Sequence, residues 1–155
     1  MIISRKNIKA FCDILHASGK KIAFTNGCFD IIHRGHVKYL ADARSFGDCL
    51  IVGLNSDASV KRLKGETRPI NAQDDRAAVL DALSAVDYVT IFDEDTAETL
   101  ISLVRPDVYA KGGDYTLDTL PEAKIVQSYG GRVEFIKFID GKSTTNIIKK
   151  IKESK

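Results

Sequence analysis

The sequence predicts an α/β fold, a doubly wound sheet of five parallel strands with helices on both faces. Apolar strand-like runs alternate with helical patterns from end to end. No internal repeat or low-complexity linker interrupts them, and the residues with site chemistry fall where strands end. The chain of 155 residues suits a single domain over 1–155, and 44% hydrophobic with 28% charged residues is ordinary for a soluble protein with a real core.

Taken in order, Ser4 can cap a first helix whose apolar positions Ile8, Phe11, Cys12 and Leu15 follow helical spacing and which Gly19 closes. A strand at 22–25 leads into a glycine turn and a helix that buries Val37, Leu40 and Ala41 and ends near Gly47. The second strand, 49–54, runs to the capping cluster Asn55-Ser56-Asp57 and a short helix carrying Val60 and Leu63. A polar loop at 64–71 precedes a helix at 73–85, a strand at 88–92, a helix at 97–104 and a strand at 108–111. Pro121 starts another helix, Gly130-Gly131 end it, 133–138 forms the fifth strand, and a terminal helix begins at Ser143.

The net charge of +2, from 23 basic and 21 acidic residues, is too balanced for nucleic-acid binding through phosphate neutralisation. Cys12, Cys28 and Cys49 are odd in number and show no CxxC spacing, so neither a disulfide framework nor a zinc site is indicated, which fits a reducing cytoplasm. No secretory leader or uninterrupted membrane-length apolar run is visible, and the chain is expected to be soluble, cytoplasmic and without a membrane partner.

The densest chemistry lies in Thr25-Asn26-Gly27-Cys28-Phe29-Asp30-Ile31-Ile32-His33-Arg34-Gly35-His36. Histidines at i and i+3 share a helix face, Gly35 lets a bulky anion approach the backbone, and the free amides and positive end of the helix attract phosphate. His33 and His36 could then donate to triphosphate oxygens as pyrophosphate leaves, which is electrostatic catalysis without a covalent intermediate. A bare pair of this kind is equally a capped helix start; the preceding strand, Gly27 and the partners downstream favour the functional reading. Asp30 is read as holding the loop through backbone amides, with a metal contact as its alternative, and Cys28 as small filler beside the turn.

Two further clusters fall at strand ends. Gly141-Lys142-Ser143-Thr144-Thr145 brings hydroxyls, free amides and a lysine to another helix N-terminus, where phosphate or a simple cap would both sit well. Lys111-Gly112-Gly113-Asp114-Tyr115 combines a cation, a flexible backbone and a carboxylate able to accept hydrogen bonds from sugar hydroxyls, or forms a glycine turn with a solvated lysine. Asn55, Ser56 and Asp57 contact ribose or base, or merely cap a helix, and Arg68 closes over phosphate or stays solvated. The basic run 149–155 reads as the exposed face of a fraying helix.

These pieces resemble the cytidylyltransferase-like nucleotidyltransferases, whose pattern TxGxFDxxHxGH stands here at Thr25 to His36 and whose second signature ends in STT, here Ser143 to Thr145. More narrowly, the segments 55–65, 68–71, 111–115 and 140–145 are similar to heptose 1-phosphate adenylyltransferases. An arginine found before the second signature in glycerol-3-phosphate cytidylyltransferases is replaced here by Phe138, which weakens a cytidylyl reading and leaves Lys142 to supply charge. The resemblance implies a Rossmann-like fold, ATP and D-glycero-β-D-manno-heptose 1-phosphate as substrates, Mg²⁺ with the ATP but no protein metal cage, and a homodimer. With no room for a sugar-kinase domain, a stand-alone form is expected. It further implies catalytic roles for His33, His36, Lys111 and Lys38. Nucleotide contacts fall to Thr25, Asn26, Gly27, Cys28, Phe29, Gly35, Asn55, Asp57, Arg68, Lys142, Ser143, Thr144 and Thr145, and acceptor contacts to Asp30, Lys111, Gly112, Gly113 and Asp114. Lys38, Lys111 and Arg68 are the candidates for neutralising two polyanions that must meet.

Overall fold

A computed structural model describes residues 1–154, so the last residue of the basic run 149–155 lies outside the described residues. Its strands are β1 (Ile22–Gly27), β2 (Cys49–Asn55), β3 (Tyr88–Phe92), β4 (Val108–Gly112) and β5 (Arg132–Ile136). All pair in parallel in the order β3-β2-β1-β4-β5. The helices are α1 (Ile8–Ala17), α2 (Arg34–Arg44), α3 (Asp57–Lys64), α4 (Gln73–Asp81), α5 (Glu98–Val104), α6 (Ala123–Ser128) and α7 (Thr144–Glu153).

Two apolar layers sandwich the sheet. Phe24, Ile51 and Tyr109 pack with Ile8 and Cys12 of α1, Leu100, Ile101 and Val104 of α5, and Ala123 and Val126 of α6. On the other face Ala23, Leu50, Val52 and Ala110 pack with Tyr39, Leu40 and Ala43 of α2 and Ala77 and Leu80 of α4. Every residue of β2 is buried, which explains its unbroken apolar run: a parallel strand covered on both faces has no polar side.

The strand order turns back between β1 and β4. β1 stays in register with β2 from Ile22↔Cys49 to Gly27↔Leu54, but meets β4 only at Ala23↔Val108 and Phe24↔Tyr109. The carboxyl ends of β1 and β4 therefore diverge, and a crevice opens at the switch point where ligands of such sheets bind.

Several local expectations shift. α1 is entered through Asn7, without a side-chain cap, while Ser4 contributes only its carbonyl to a preceding turn. The buried stripe of α2 is Gly35, Tyr39, Leu40 and Ala43, and Val37 and Ala41 face solvent. The reason is phase: the helix starts at Arg34, so positions four apart from Gly35 face the sheet. Leu63 is exposed, α4 stops at Asp81, and α6 begins at Ala123, after a turn in which Ala123 N donates to the Leu120 carbonyl. β1 runs on to Gly27. β5 ends at Ile136, because Phe138 leaves the strand and lays its ring against Gly112, where an added Cβ would lie 2.4 Å from it.

Candidate active site

The loop after β1 is shaped before any histidine is reached. A Cβ on Gly27 would lie 3.0 Å from the Phe29 ring, and Phe29 itself sits at φ 43°, an uncommon left-handed conformation for a bulky residue and typical of strained functional turns. Its ring lies 5.3 Å from that of His36. His33 then caps α2: it is extended, and its Nδ1 accepts from Gly35 N at 3.0 Å. A ring nitrogen that accepts carries no proton, so neutral His33 holds its hydrogen on Nε2. That Nε2 is buried and has no hydrogen-bond partner among the described residues. His36 Nδ1 is likewise buried without one. Native proteins rarely leave such groups unpaired, and an orphan donor at a switch-point crevice marks a ligand position.

The two imidazoles stack with centroids 3.9 Å apart and planes 29° apart. Burial pushes His36 down to about 4, with the neighbouring His33 adding to it and a backbone hydrogen bond with Ile31 opposing. Burial, then the positive charge of Lys142, also lowers His33. Both rings are neutral at pH 7, so each carries a single N–H, and that of His33 is on its unpartnered Nε2.

The terminal helix closes on the same point. A Cβ on Gly35 would lie 2.8 Å from His33 Cε1 and 3.2 Å from Lys142 Cβ, so only glycine lets these segments approach. Thr144 Oγ1 donates to the Ile31 carbonyl at 3.3 Å, and Ser143 caps α7 by accepting from Asn146 N at 3.0 Å. The N-termini of α2 and α7 thus converge beside Lys142, while Thr145 remains exposed. Their free amides and positive dipole ends favour an anion on the α2 face of the sheet.

The opposite wall belongs to the α6 face. Tyr109 donates to Asn26 Oδ1 at 2.6 Å, tying β4 to β1 just past their last pairing. Lys111 at the end of β4 has its Nζ 5.2 Å from the Tyr115 ring centroid. Burial lowers its pKa, opposed by the charges of Glu122 and then Cys28. Gly112 is buried under Phe138, Gly113 turns at φ 103°, and Asp114 is exposed at the rim.

Other candidates are placed differently from their expected roles. Asp30 holds the loop through backbone amides, as its reading expected, and is not open to an acceptor: its carboxylate is 1% exposed and accepts from Arg68 Nε at 2.7 Å and from the Ile70 and Asn71 amides. Burial alone would raise Asp30, but the amides of Asn71 and Ile70 and the Arg68 guanidinium outweigh it and hold it below the usual range. Arg68 is correspondingly bound to Asp30 through its Nε. Thr25 is fully buried, its hydroxyl 2.5 Å from that of Tyr39, and so lies beneath the site. Asn55 donates to Ser59 Oγ, and Asp57 pairs with Arg76. Lys38 pairs with Asp42 on the exposed side of α2.

The sequence reading missed Arg76. This guanidinium, 2% exposed, donates to the carbonyls of Asn71, Cys28 and Asn55 and to Asp57, tying together the loops after β1, β2 and α3. Its spacing of four from Leu80, which puts an arginine on the core face of α4, was the available signal. Tyr39, which links Thr25 to the Ala110 carbonyl, and Tyr109 were also missed, since buried tyrosines read as plain core.

Among the described residues no group of three or more His, Cys, Asp and Glu is placed to hold a metal ion, and no helix is long and apolar enough to cross a membrane.

A parallel α/β sheet with a stacked imidazole pair and two converging helix N-termini at its switch point is built to hold a triphosphate while its phosphorus reacts; this is the class of nucleotidyltransferases. The sequence model of the cytidylyltransferase-like family matches residues 24–150, and the chain belongs to that family. It is 58% identical over 149 residues to the bifunctional protein HldE of Geobacter sulfurreducens, covering 94% of this chain and 30% of that protein. It is 60% identical over 151 residues to HldE of Campylobacter concisus, covering 97% and 31%. The chain therefore spans less than a third of the curated relatives it matches. A lipopolysaccharide core biosynthesis protein from Thermoplasma volcanium superposes with a TM-score of 0.64 at 28% identity, covering 78% of this chain and 98% of that one. Pantoate-beta-alanine ligase from Francisella tularensis, at 17% identity and a TM-score of 0.60 over 98% of this chain and 77% of that one, shares the fold.

Proposed function

We propose that this enzyme transfers AMP from ATP to D-glycero-β-D-manno-heptose 1-phosphate, releasing pyrophosphate and giving ADP-heptose for lipopolysaccharide core synthesis. The observation that carries the transfer is the unpartnered, buried His33 Nε2–H, fixed as a donor by the Gly35 amide on its other nitrogen. The acceptor rests on the similarity of segments 55–65, 68–71, 111–115 and 140–145 to heptose 1-phosphate adenylyltransferases, and on the likeness to a lipopolysaccharide core protein.

In this reading the triphosphate lies over the N-termini of α2 and α7, with Lys142 beside it, and the sugar phosphate lies across the crevice against Lys111. A sugar-phosphate oxygen attacks the α-phosphorus, and the bond to the bridging oxygen breaks as pyrophosphate leaves with the electron pair. His33 donates a hydrogen bond where negative charge grows, with the His36 ring stacked against it, which lowers the barrier without any proton changing owner. ATP enters as its magnesium complex, the ion carried by the nucleotide's phosphates and offsetting their charge. Two copies of the chain are expected to associate as a homodimer.

The test is pyrophosphate release by the unmodified protein with ATP or CTP against heptose 1-phosphate, glucose 1-phosphate and glycerol 3-phosphate. ATP with heptose 1-phosphate is expected to give the highest kcat/KM. A preference for CTP with glycerol 3-phosphate overturns the substrate assignment, and full turnover in excess chelator overturns the magnesium complex.

A further inference from the structure

Phe138 is the most exposed aromatic side chain among the described residues, at 59%, yet its ring is held in place. Its distal edge bears on the turn after β4: a Cβ on Gly112 would lie 2.4 Å from Cε1 and 2.5 Å from Cζ, and one on Gly113 would lie 3.4 Å from Cε2. Only glycine at 112 leaves room for it. The ring centroid lies 5.9 Å from that of Tyr39, with the planes tilted by 45°. With its edge pressed on the main chain and so much of it exposed, the ring turns a face to solvent. A lone exposed phenyl group needs no explanation elsewhere on a surface. This one stands at the switch-point crevice.

Two connections put it on the wall that carries the histidines. Tyr39 follows His36 by three residues, so both project from one side of α2, and its hydroxyl lies 2.5 Å from Thr25 Oγ1 and donates to the Ala110 carbonyl at 3.2 Å. Phe138 rests beside that tyrosine, over the end of β4. It also belongs to the connection from β5 to α7, four residues before Lys142, whose Cβ would lie 3.2 Å from a Cβ on Gly35. The segment that brings the N-terminus of α7 to His33 therefore carries the aromatic face as well. A triphosphate bound at these helix N-termini has a nucleoside attached, and its base is the flat, apolar-faced group that the two substrates bring. Bases stack favourably on aromatic side chains, and a purine covers more of a phenyl face than a pyrimidine does.

We propose that Phe138 is a specificity-determining residue on which the adenine of ATP stacks, favouring a purine over a pyrimidine triphosphate. This deepens the adenylyl-transfer reading and rests on its placing of the triphosphate at α2 and α7. The acceptor, against Lys111 on the opposite wall, is left to other groups.

The experiment uses two variants, magnesium throughout, and three ligands: ATP, CTP and inorganic tripolyphosphate, which has the phosphates and no base. The chain contains no tryptophan, so Phe138→Trp introduces a single indole whose fluorescence reports on stacking. ATP quenches that emission, CTP quenches it less, and tripolyphosphate leaves it unchanged. Phe138→Leu keeps an apolar side chain and loses the aromatic face. By calorimetry its dissociation constant for ATP rises about tenfold, that for CTP less than about threefold, and that for tripolyphosphate stays within about twofold of the unmodified protein's, as does the KM of heptose 1-phosphate. Equal weakening of ATP and tripolyphosphate overturns the proposal, because the ring would then serve only to hold the phosphate wall. A raised KM for heptose 1-phosphate with ATP binding unaltered overturns it too, because the ring would then face the acceptor. Unchanged ATP binding in Phe138→Leu together with no quenching in Phe138→Trp also overturns it. If the ligands behave as expected but the unmodified protein does not turn over heptose 1-phosphate, the acceptor assignment falls and the stacking role stands. No ATP binding by the unmodified protein overturns both.

Discussion

Replacing Gly35 by alanine pits stability against chemistry at a single Cβ. Position 35 lies in the first turn of α2, where alanine is favoured over glycine by about 1 kcal/mol. The new methyl would sit 2.8 Å from His33 Cε1 and 2.9 Å from Nδ1, so the ring must swing away and release the Gly35 amide. Losing a helix-capping hydrogen bond costs about 1 kcal/mol, so the two contributions nearly cancel and global stability shifts by no more than about 1 kcal/mol. Catalysis does not share that cancellation. The His33 donor leaves its position, and loss of one preorganised donor lowers turnover by about 10²- to 10³-fold, or about 3 to 4 kcal/mol of barrier. Urea unfolding followed by circular dichroism, beside steady-state pyrophosphate release, reads both quantities on one preparation. A stable variant with near-normal turnover would refute the role given to the His33 ring. An unfolded one would refute the stability arithmetic.

Three other outcomes are expected. Because His36 is held at about 4 against about 6.5 in the unfolded chain, the unfolded state binds more protons between these values; stability is fully present above about pH 6.5 and declines as pH falls toward 4. Melting curves across that range should show the decline, and His36→Phe should flatten it while lowering turnover about 10²- to 10³-fold; an unaltered pH slope contradicts the neutral stacked pair. Arg76→Met strands three backbone carbonyls and Asp57, and should destabilise by about 3–5 kcal/mol in urea titration; a loss under about 1 kcal/mol shows that the loops hold themselves. Asp114→Ala, at the exposed rim, should raise the acceptor KM about tenfold with the ATP KM unmoved, and equal losses would place Asp114 in the scaffold.

The alternation of apolar runs was enough to read the parallel sheet, because β2 and the centres of β1 and β4 are buried on both faces and carry no competing pattern. Strand ends were harder. Phe138 looks like strand by composition, yet it serves the crevice by covering Gly112, a non-local contact that no periodicity encodes. The phase of α2 was misread for a related reason: Val37 is apolar, but the helix start is set by the His33 cap. At the site, the histidines, Lys142 and Lys111 were legible as motifs beside glycines. The loop-holding role of Asp30 was legible but its partners were not, since which amides a carboxylate meets depends on loops about forty residues apart. Arg76 was passed over because charged residues are presumed to face water, although its spacing from Leu80 carried the signal.

The Arg76 support has a bearing on how this molecule can change. Three of its four partners are main-chain carbonyls, of Cys28, Asn55 and Asn71, and a carbonyl is the same whatever side chain hangs beside it. The loops that frame the entrance are therefore gripped by groups common to all amino acids. Substitutions at Cys28 can alter the shape and polarity of the entrance without loosening its frame, so new acceptors can be explored there one side chain at a time. Asp57 is the exception: it meets the guanidinium through its own carboxylate, and that corner of the entrance is chemically committed.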